Sequence, residues 1–569
     1  MTKYTSKGLK KGSAQLDQLG NYLIQEVSNS QDASNGLVPR WEQNEGVYRN
    51  EPELASVRLY DNFDPRPIPV MSSRINRIVD VTVRTLTSPT PILQAIPDDK
   101  DQSAADVLER GLEATWDIAK FERYFRRALT TAALCGVSVL RMRMAKEGLR
   151  FDHIHPRDFI IGPTYGLDMK DAHMVGHRFY IPRWKLKDRV KEGGYNLVDM
   201  EWAESAGPKS PDEEPAGRNP EYDLNEASNY TTEADNELVE LWELLIQIEL
   251  DGSRKWCRVV FHQEDGKVLL KESYPYTRPW YFDVRFHDEE GKWWPANSIA
   301  QNIIGLCYLQ SDMFNLMAAG SMATAVSPTV ISNGSLGAKV KNLSLGHVYQ
   351  SPYDIKVQQI PLSFDPKAMP LVQRQIDDLI ESQTGIFNNR LMQDRKSGDV
   401  TATQIAAEEQ AASQNEGTYP AFASDTLEEM AHFWHELIRS HPGVLRAVYG
   451  ERIPEQFYGK SWSRVRWVST GKSPGNAPQF LVGKLQALYT MSRQPGSVLH
   501  AQRTEKALVN SMDVPINVEG IIKTDEEMAQ EQAQAAAMAA QEMAQSQGGG
   551  SDAGIMGGVG PEAGMGIPG

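Results

Sequence analysis

The chain has 569 residues, of which 40% are hydrophobic and 24% charged, and its formal net charge is −16. This composition excludes global disorder, and the length exceeds what one compact core holds, so we expect two to four packed regions. The N-terminal residues lack the apolar run of a secretory signal, and no stretch is continuously apolar enough for a membrane helix. We therefore expect a soluble protein.

The charge is distributed unevenly along the chain. Residues 201–240 hold twelve acidic and two basic residues together with four prolines, which predicts an exposed acidic loop. Residues 296–365, in contrast, hold only three acidic and three basic residues. A segment so poor in charge is expected to be covered by protein on most sides, and contacts between subunits would supply that cover.

Hydrophobic periodicity predicts alternating helices and strands in the N-terminal half. Turn signals at Asp251-Gly252 and Asp265-Gly266 connect three of the strands as hairpins. The predicted elements are a polar helix at 10–30, a proline-broken stretch at 52–70, an amphipathic helix at 73–88, a helical block at 101–135, and strands at 137–145, 149–156, 172–181, 237–250, 255–263 and 267–274.

The C-terminal half is predicted to be mainly helical. The polar loop 388–400 ends in a capping box, in which the Thr401 hydroxyl and the Gln404 amide satisfy free backbone groups at the start of a helix. The predicted elements are helices at 296–324, 369–387 and 401–440, short strands within 328–365, a strand at 463–469, helices across 478–540 and a disordered tail from 548.

No motif in the sequence predicts catalysis. Gly471-Lys472-Ser473 lacks the upstream glycine of a phosphate-binding loop. His432, His435 and Glu436 lie one helical turn apart and could bind zinc, but the HExxH spacing is absent, so core or capping histidines are favoured. Three cysteines without a CxxC pair argue against disulfides and a cysteine zinc site. We expect no enzyme activity, metal or cofactor.

From residue 296 onward, the order of segments resembles the portal (head–tail connector) proteins of tailed bacteriophages, especially those of short-tailed phages. In that family a charge-poor stem helix is followed by a small β-containing clip, a second stem helix, a tunnel loop and a long helix returning to the wing. The matching segments here are 298–326, 327–361, 371–387 and 388–410. The helix, strand and helix within 74–118 and the helices at 478–540 also fit, the latter as a crown. The departure is the acidic insert at 201–240.

The resemblance implies an α+β portal fold assembled as a ring. The implied parts are a wing at 1–295 with the acidic loop at 201–240, a descending stem helix at 296–325, a clip at 326–366, an ascending stem helix at 367–387, a tunnel loop at 388–400, a long helix returning to the wing at 401–477, a crown at 478–545 and a Gly-rich tail at 546–569.

It also implies a non-enzymatic, dodecameric channel at one capsid vertex of the virion, assembled in the host cytoplasm. Double-stranded DNA would pass through it transiently and without sequence specificity. Its implied protein partners are the terminase large subunit, a tail adaptor, and the major capsid and scaffolding proteins, with no membrane. The residues expected to face DNA in the tunnel loop are Asn388, Asn389, Arg390, Gln393, Arg395 and Lys396, and those of the clip are Lys339, Lys341 and His347.

Two alternatives remain open on the sequence alone. One is another head–tail ring component, such as an adaptor or tail-tube protein, although those are generally shorter or richer in β-strands. The other is a metal-dependent enzyme that uses His432, His435 and Glu436.

Overall fold

The structure, a computed structural model, describes the chain in segments separated by gaps. The described residues are 9–51, 67–89, 91–97, 102–145, 148–162, 168–206, 238–287, 293–295, 297–325, 329–332, 348–350, 356–359, 369–384, 418–450 and 465–470. The chain divides into two units, Met1–Phe480 and Leu481–Gly569, and all described residues belong to the first. The predicted crown helices and C-terminal tail therefore lie outside the described residues.

Two helices open the described chain. Helix α1 (Ala14–Asn35) begins at Ser13, whose side chain accepts a hydrogen bond from the Leu16 backbone N–H at 3.2 Å. It confirms the predicted polar helix, but it begins four residues later and ends five residues later than predicted. Helix α2 (Val38–Arg49) was not predicted. Pro39 looks like a helix breaker in the sequence, but it lies in the first turn of α2, where its missing N–H costs no helical hydrogen bond.

The next segment forms a helical layer. Helix α3 (Val70–Thr87) ends before Pro89, as predicted, and is followed by strand β1 (Leu93–Pro97). The predicted helical block at 101–135 consists of two helices, α4 (Gln102–Ile118) and α5 (Phe121–Cys135). They separate at Lys120, whose φ of 54° cannot continue a right-handed helix. Their shared core is rich in aromatic side chains, including the contacting rings of Trp116, Phe121 and Phe151.

A small antiparallel sheet follows the helical layer. Its central strand β2 (Val137–Ala145) pairs with β3 (Gly148–Ile154) on one side and with β9 (Tyr281–Arg285) on the other. The sequence predicted β2 and β3, whereas β9 was missed between prolines and tryptophans. This sheet packs on α5 and joins the helical layer in the largest hydrophobic core.

A second sheet has five antiparallel strands in chain order. They are β4 (Phe159–Ile161), β5 (Met174–Pro182), β6 (Leu238–Leu250), β7 (Ser253–Phe261) and β8 (Val268–Ser273). Both predicted hairpin turns are confirmed, with Gly252 and Gly266 at positive φ of 79° and 66°. Helix α1 packs against this sheet through Leu16, Leu19, Leu23 and Val27.

Helices α6 (Arg183–Lys191) and α7 (Met200–Ser205), which were not predicted, share a separate core with the second sheet. The side chains of Leu186 and Ala203 are fully buried in that core. Most of the predicted acidic loop lies between α7 and β6, at residues outside the described ranges.

The last described elements confirm the predicted helices around a small β-unit. Helix α8 (Ile299–Ala325) precedes strands β10 (Thr329–Ser332), β11 (Val348–Gln350) and β12 (Lys356–Gln359), and helix α9 (Met369–Thr384) follows them. The final elements are α10 (Thr418–Ser440), α11 (Arg446–Tyr449) and β13 (Val465–Ser469). Strand β13 pairs antiparallel with β1, which joins the last described strand to the strand that follows α3.

Candidate functional site: a helix pair and buried charge clusters

Helices α8 and α9 leave large apolar side chains uncovered. Across the described residues, ten large hydrophobic side chains are exposed, and six of them lie on these two helices. They are Leu309, Phe314 and Met322 on α8, and Leu371, Val372 and Leu379 on α9. Helix α8 carries a single charged residue, Asp312, in 27 residues. Uncovered apolar side chains concentrated on two adjacent helices, one of them almost without charge, are typical of an interaction surface.

The helix pair is attached to the helical layer by a largely buried polar cluster. The guanidinium of Arg74, on α3, lies 3.1 Å from the Asp377 carboxylate and 3.5 Å from the Glu381 carboxylate, both on α9. The Gln310 amide of α8 donates to Asp377 at 3.2 Å. Arg74, Gln310 and Glu381 are buried and Asp377 is nearly so, and the cluster joins three helices at one point and sets how the pair attaches to the helical layer.

The segment between α8 and α9 forms a three-stranded unit. Its central strand β10 pairs in parallel with β11 and antiparallel with β12. This topology brings the end of α8 and the approach to α9 to the same small sheet. The described parts of 296–384 therefore follow the helix, β-unit and helix order that the sequence predicted.

The predicted DNA-facing residues all lie outside the described residues. This holds for Asn388, Asn389, Arg390, Gln393, Arg395 and Lys396 of the tunnel loop, for Lys339, Lys341 and His347 of the clip, and for the capping pair Thr401 and Gln404. Their roles stay predictions.

A buried charge network connects the β3–β2–β9 sheet with the five-stranded sheet, which are the two larger sheets of the described chain. Arg141 of β2 contacts both Glu243 of β6 and Asp152 of β3, the latter at 2.7 Å. Arg258 of β7 donates to Glu243 at 2.6 Å. Burial would raise the pKa of Glu243, but the adjacent guanidinium groups of Arg141 and Arg258 hold it well below its ordinary range. The network is therefore permanently ionised, and it is a structural device that the sequence did not predict.

The alternative metal site is not assembled. Glu436 accepts hydrogen bonds from the Thr277 backbone N–H at 2.9 Å and from the Thr277 hydroxyl at 3.0 Å. His435 is buried, and burial lowers its pKa to about 4. Within the described ranges, His432, His435 and Glu436 do not form a group whose ligand atoms could hold an ion.

A different group of potential ligands converges inside the N-terminal part of the chain. Glu45 of α2, Cys135 at the end of α5 and His155 after β3 have ligand atoms within 4.8 Å of one another. The His155 Nε2 lies 2.7 Å from a Glu45 carboxylate oxygen, and the other oxygen accepts from Arg157 at 3.0 Å. Burial would raise the pKa of Glu45, but His155 and Arg157 lower it to about 2. Burial raises the pKa of the Cys135 thiol well above its usual value.

The sequence contained no signal for this group. Glu45, Cys135 and His155 are 90 and 20 residues apart in succession, so no motif of fixed spacing connects them. His155 belongs to the strand predicted at 149–156, but it lies just beyond the end of β3, and its side chain is partly exposed.

Comparison with known proteins supplies the identity. No helix in the described ranges is both long and apolar enough to cross a membrane. No curated protein matches the chain. The family model described as "Phage SU10 portal protein" matches residues 88–457, which is well over half of the chain. The matched range includes the two larger sheets and helices α4 to α11. The chain therefore belongs to the SU10-type family of phage portal proteins.

Proposed function

We propose that this chain is the repeating subunit of a closed ring at one capsid vertex, through which double-stranded DNA is packaged and later ejected. The observation that carries the proposal is the concentration of exposed apolar side chains on α8 and α9. The family match supports a portal protein, and the exposed helix pair supports assembly with further copies of the chain.

The occupant of the apolar surface is a second copy of the same chain. Leu371 is 66% exposed and Phe314 is 52% exposed, so a single chain leaves them in water. Covering such side chains contributes about 1.5–3 kcal/mol each relative to leaving them exposed. In a ring each subunit offers two different surfaces to its two neighbours, and a rotation that closes avoids open filaments. We expect the dodecamer that is usual for portals.

The charge balance suits a channel that DNA must slide through. Each contact between a basic side chain and a phosphate adds affinity through counterion release, so a densely basic wall would retain the duplex. A net charge of −16 per subunit instead disfavours tight binding. Transient contacts would come from Arg390, Arg395 and Lys396 of the tunnel loop, and from Lys339 and Lys341 of the clip.

The ring itself is a passive channel and a docking platform within the virion. The clip would bind the terminase large subunit during packaging and a tail adaptor afterwards, while the wing would contact the major capsid and scaffolding proteins. ATP hydrolysis would belong to the terminase motor. ATP hydrolysis by the purified ring alone would contradict this division of labour.

The test replaces an exposed leucine of the helix pair with a charged residue. We expect Leu379→Glu to abolish rings because the charge would be buried between subunits, while the chain stays folded. The matched control is Ile118→Glu on α4, since Ile118 is 59% exposed and Leu379 is 51% exposed. Electron microscopy and light scattering report the assembly, and circular dichroism reports the fold.

The control should form rings like the wild type. Rings of normal size formed by the Leu379→Glu variant, or a wild-type chain that stays monomeric at every concentration, would refute the proposal.

A further inference from the structure

We propose that Glu45, Cys135 and His155 form a binding site for one zinc-class transition-metal ion in the N-terminal part of the chain. Thiolate, imidazole and carboxylate are the ligand types that zinc combines in proteins. Within the part of the chain that the structure describes, this is the one group of three or more potential ligands whose atoms lie within 4.8 Å of one another.

The distances are close to those of a tetrahedral metal site. The Cys135 sulfur lies 3.7 Å from the Glu45 carboxylate oxygen Oε1 and 3.9 Å from His155 Nε2. Ligand atoms on tetrahedral zinc are separated by about 3.4–3.6 Å, given Zn–S of about 2.3 Å and Zn–N or Zn–O of about 2.1 Å. The sulfur therefore has to approach by a few tenths of an ångström, and the 2.7 Å separation of His155 from Glu45 has to widen by roughly 0.7 Å.

The surrounding structure holds the ligands in place. The Asn44 side chain donates to the Leu134 carbonyl at 2.8 Å and so fixes α2 against the end of α5. Arg157 binds the Glu45 oxygen Oε2 at 3.0 Å, which orients Oε1 toward the sulfur and the imidazole. Hydrogen bonds of this kind to a ligand carboxylate are what positions it in known metal sites.

Metal binding requires two protons to be relocated. His155 Nδ1 accepts from the Arg157 backbone N–H at 3.2 Å, which assigns the imidazole proton to Nε2, directed at Glu45. When the ion binds, this proton moves to Nδ1 and the contact with the Arg157 backbone is given up. The thiol proton is released to solvent, and bonds form from the ion to sulfur, nitrogen and oxygen. A dication with one thiolate and one carboxylate is electrically neutral, and Arg157 also lies 3.9 Å from the Glu42 carboxylate, which remains as its charged partner outside the site.

Three protein ligands leave the fourth position for water. The His155 side chain is 15% exposed, compared with 10% for Glu45, so the imidazole is on the side from which an ion or water would approach. The site would connect α2, α5 and the segment after β3, and the bound ion would stabilise these contacts.

The test uses the full-length chain after removal of metals with a chelator. We expect it to take up one equivalent of Zn²⁺, measured by plasma mass spectrometry, and to unfold at a higher temperature with Zn²⁺ than without. Replacing Zn²⁺ with Co²⁺ should produce a thiolate-to-cobalt charge-transfer band in the near ultraviolet.

Two cysteine variants assign that band. Cys135→Ser should lose it, whereas the Cys257→Ser/Cys307→Ser variant, in which Cys135 is the sole thiol, should keep it. A wild-type chain that takes up no Zn²⁺ would overturn the proposal, as would loss of the band in the Cys257→Ser/Cys307→Ser variant. The wild-type titration decides the question even where Cys135→Ser fails to fold.

Discussion

The two larger sheets bury charged side chains between them, whereas the α8–α9 helix pair exposes apolar side chains. Between the sheets, Glu243 and Arg141 are buried with partners from within the same chain. On the helix pair, Leu309, Met322 and Leu371 are exposed although they are apolar. The sheets therefore have an interior that one subunit completes, whereas the helix pair has a surface that one subunit leaves incomplete.

This difference separates folding from assembly. A substitution between the sheets should change the stability of each subunit, whatever the protein concentration. A substitution on the exposed face of α8 or α9 should change the concentration at which rings form, with little effect on the unfolding of a subunit. The following predictions test contacts that are completed within one subunit, and Leu379→Glu above tests the exposed helix pair.

The largest effect is expected for Glu243→Ala. The change leaves the buried guanidinium groups of Arg141 and Arg258 with one carboxylate fewer, and breaking such a network by removing one partner costs about 3–5 kcal/mol. Denaturant unfolding of the wild type and the variant should show this loss in the free energy of unfolding, equally in assembled and dissociated samples.

A surface ion pair provides the matched comparison for Glu243→Ala. Arg126 of α5 contacts Asp80 of α3, with side chains 44% and 53% exposed. Solvent and salt screen such a pair, so Arg126→Ala should cost less than about 1 kcal/mol. Equal losses for the two variants would show that the network between the sheets is not the stabilising feature we infer.

A smaller effect is expected for Gly136→Ala, at the junction between α5 and β2. Gly136 has a φ of 89°, and an added Cβ would lie 2.7 Å from the Asn297 carbonyl oxygen and 2.8 Å from the Pro295 ring. Asn297 and Pro295 immediately precede α8, so this contact sets where the helix pair begins. Backbone strain of about 1–2 kcal/mol together with the clash predicts that the free energy of unfolding falls by about 2–4 kcal/mol. Thermal denaturation of the wild type and the variant measures this difference.

Gly193→Ala separates the two causes of that loss. Gly193 has a φ of 74°, but nothing lies within 4 Å of an added Cβ, so only the backbone strain of about 1–2 kcal/mol applies. If both alanine variants lose the same stability, the close packing before α8 contributes nothing.

The sequence predicted elements whose signals are local. The hairpins at Asp251-Gly252 and Asp265-Gly266 were found because a tight turn needs residues that tolerate positive φ. Helix α2 was missed because Pro39 has opposite meanings in the first turn and in the interior of a helix. Strand β9 was missed because its five residues lack a period of their own, and their pairing with β2 is a tertiary contact.

The candidate sites show the same limit more sharply. The order of helix, β-unit and helix was predicted because charge depletion and periodicity are visible along the chain. The pairing of Arg141 with Glu243, and the convergence of Cys135 on Glu45, join residues about 90 to 100 positions apart. Such contacts depend on how sheets and helices pack, which spacing in a sequence does not encode.

Apart from the control variants, the smallest predicted effect is a pH dependence at Glu109 of α4. Its carboxylate accepts from the Ala95 backbone N–H of β1 at 2.7 Å, and burial, with Asp106 and Glu113 nearby, raises its pKa to about 7 from 4.5. A carboxyl whose pKa is higher in the folded than in the unfolded chain stabilises the fold fully below the unfolded value, and this stabilisation is lost as the pH rises through the folded value. The free energy of unfolding should therefore fall between about pH 4.5 and pH 7.

Because Glu109 is only partly buried, we discount the shift for solvent screening and expect a loss of about 1–2 kcal/mol over that range. In Glu109→Gln the amide oxygen can still accept from Ala95, but the side chain no longer titrates, so the fall should be reduced. Melting temperatures of the wild type and the variant, measured across this pH range, give the difference. Parallel curves for the two proteins would mean that Glu109 is ionised over the whole range. The carboxylate at this contact between α4 and β1 would then be as fully paired within the subunit as Glu243 is between the sheets.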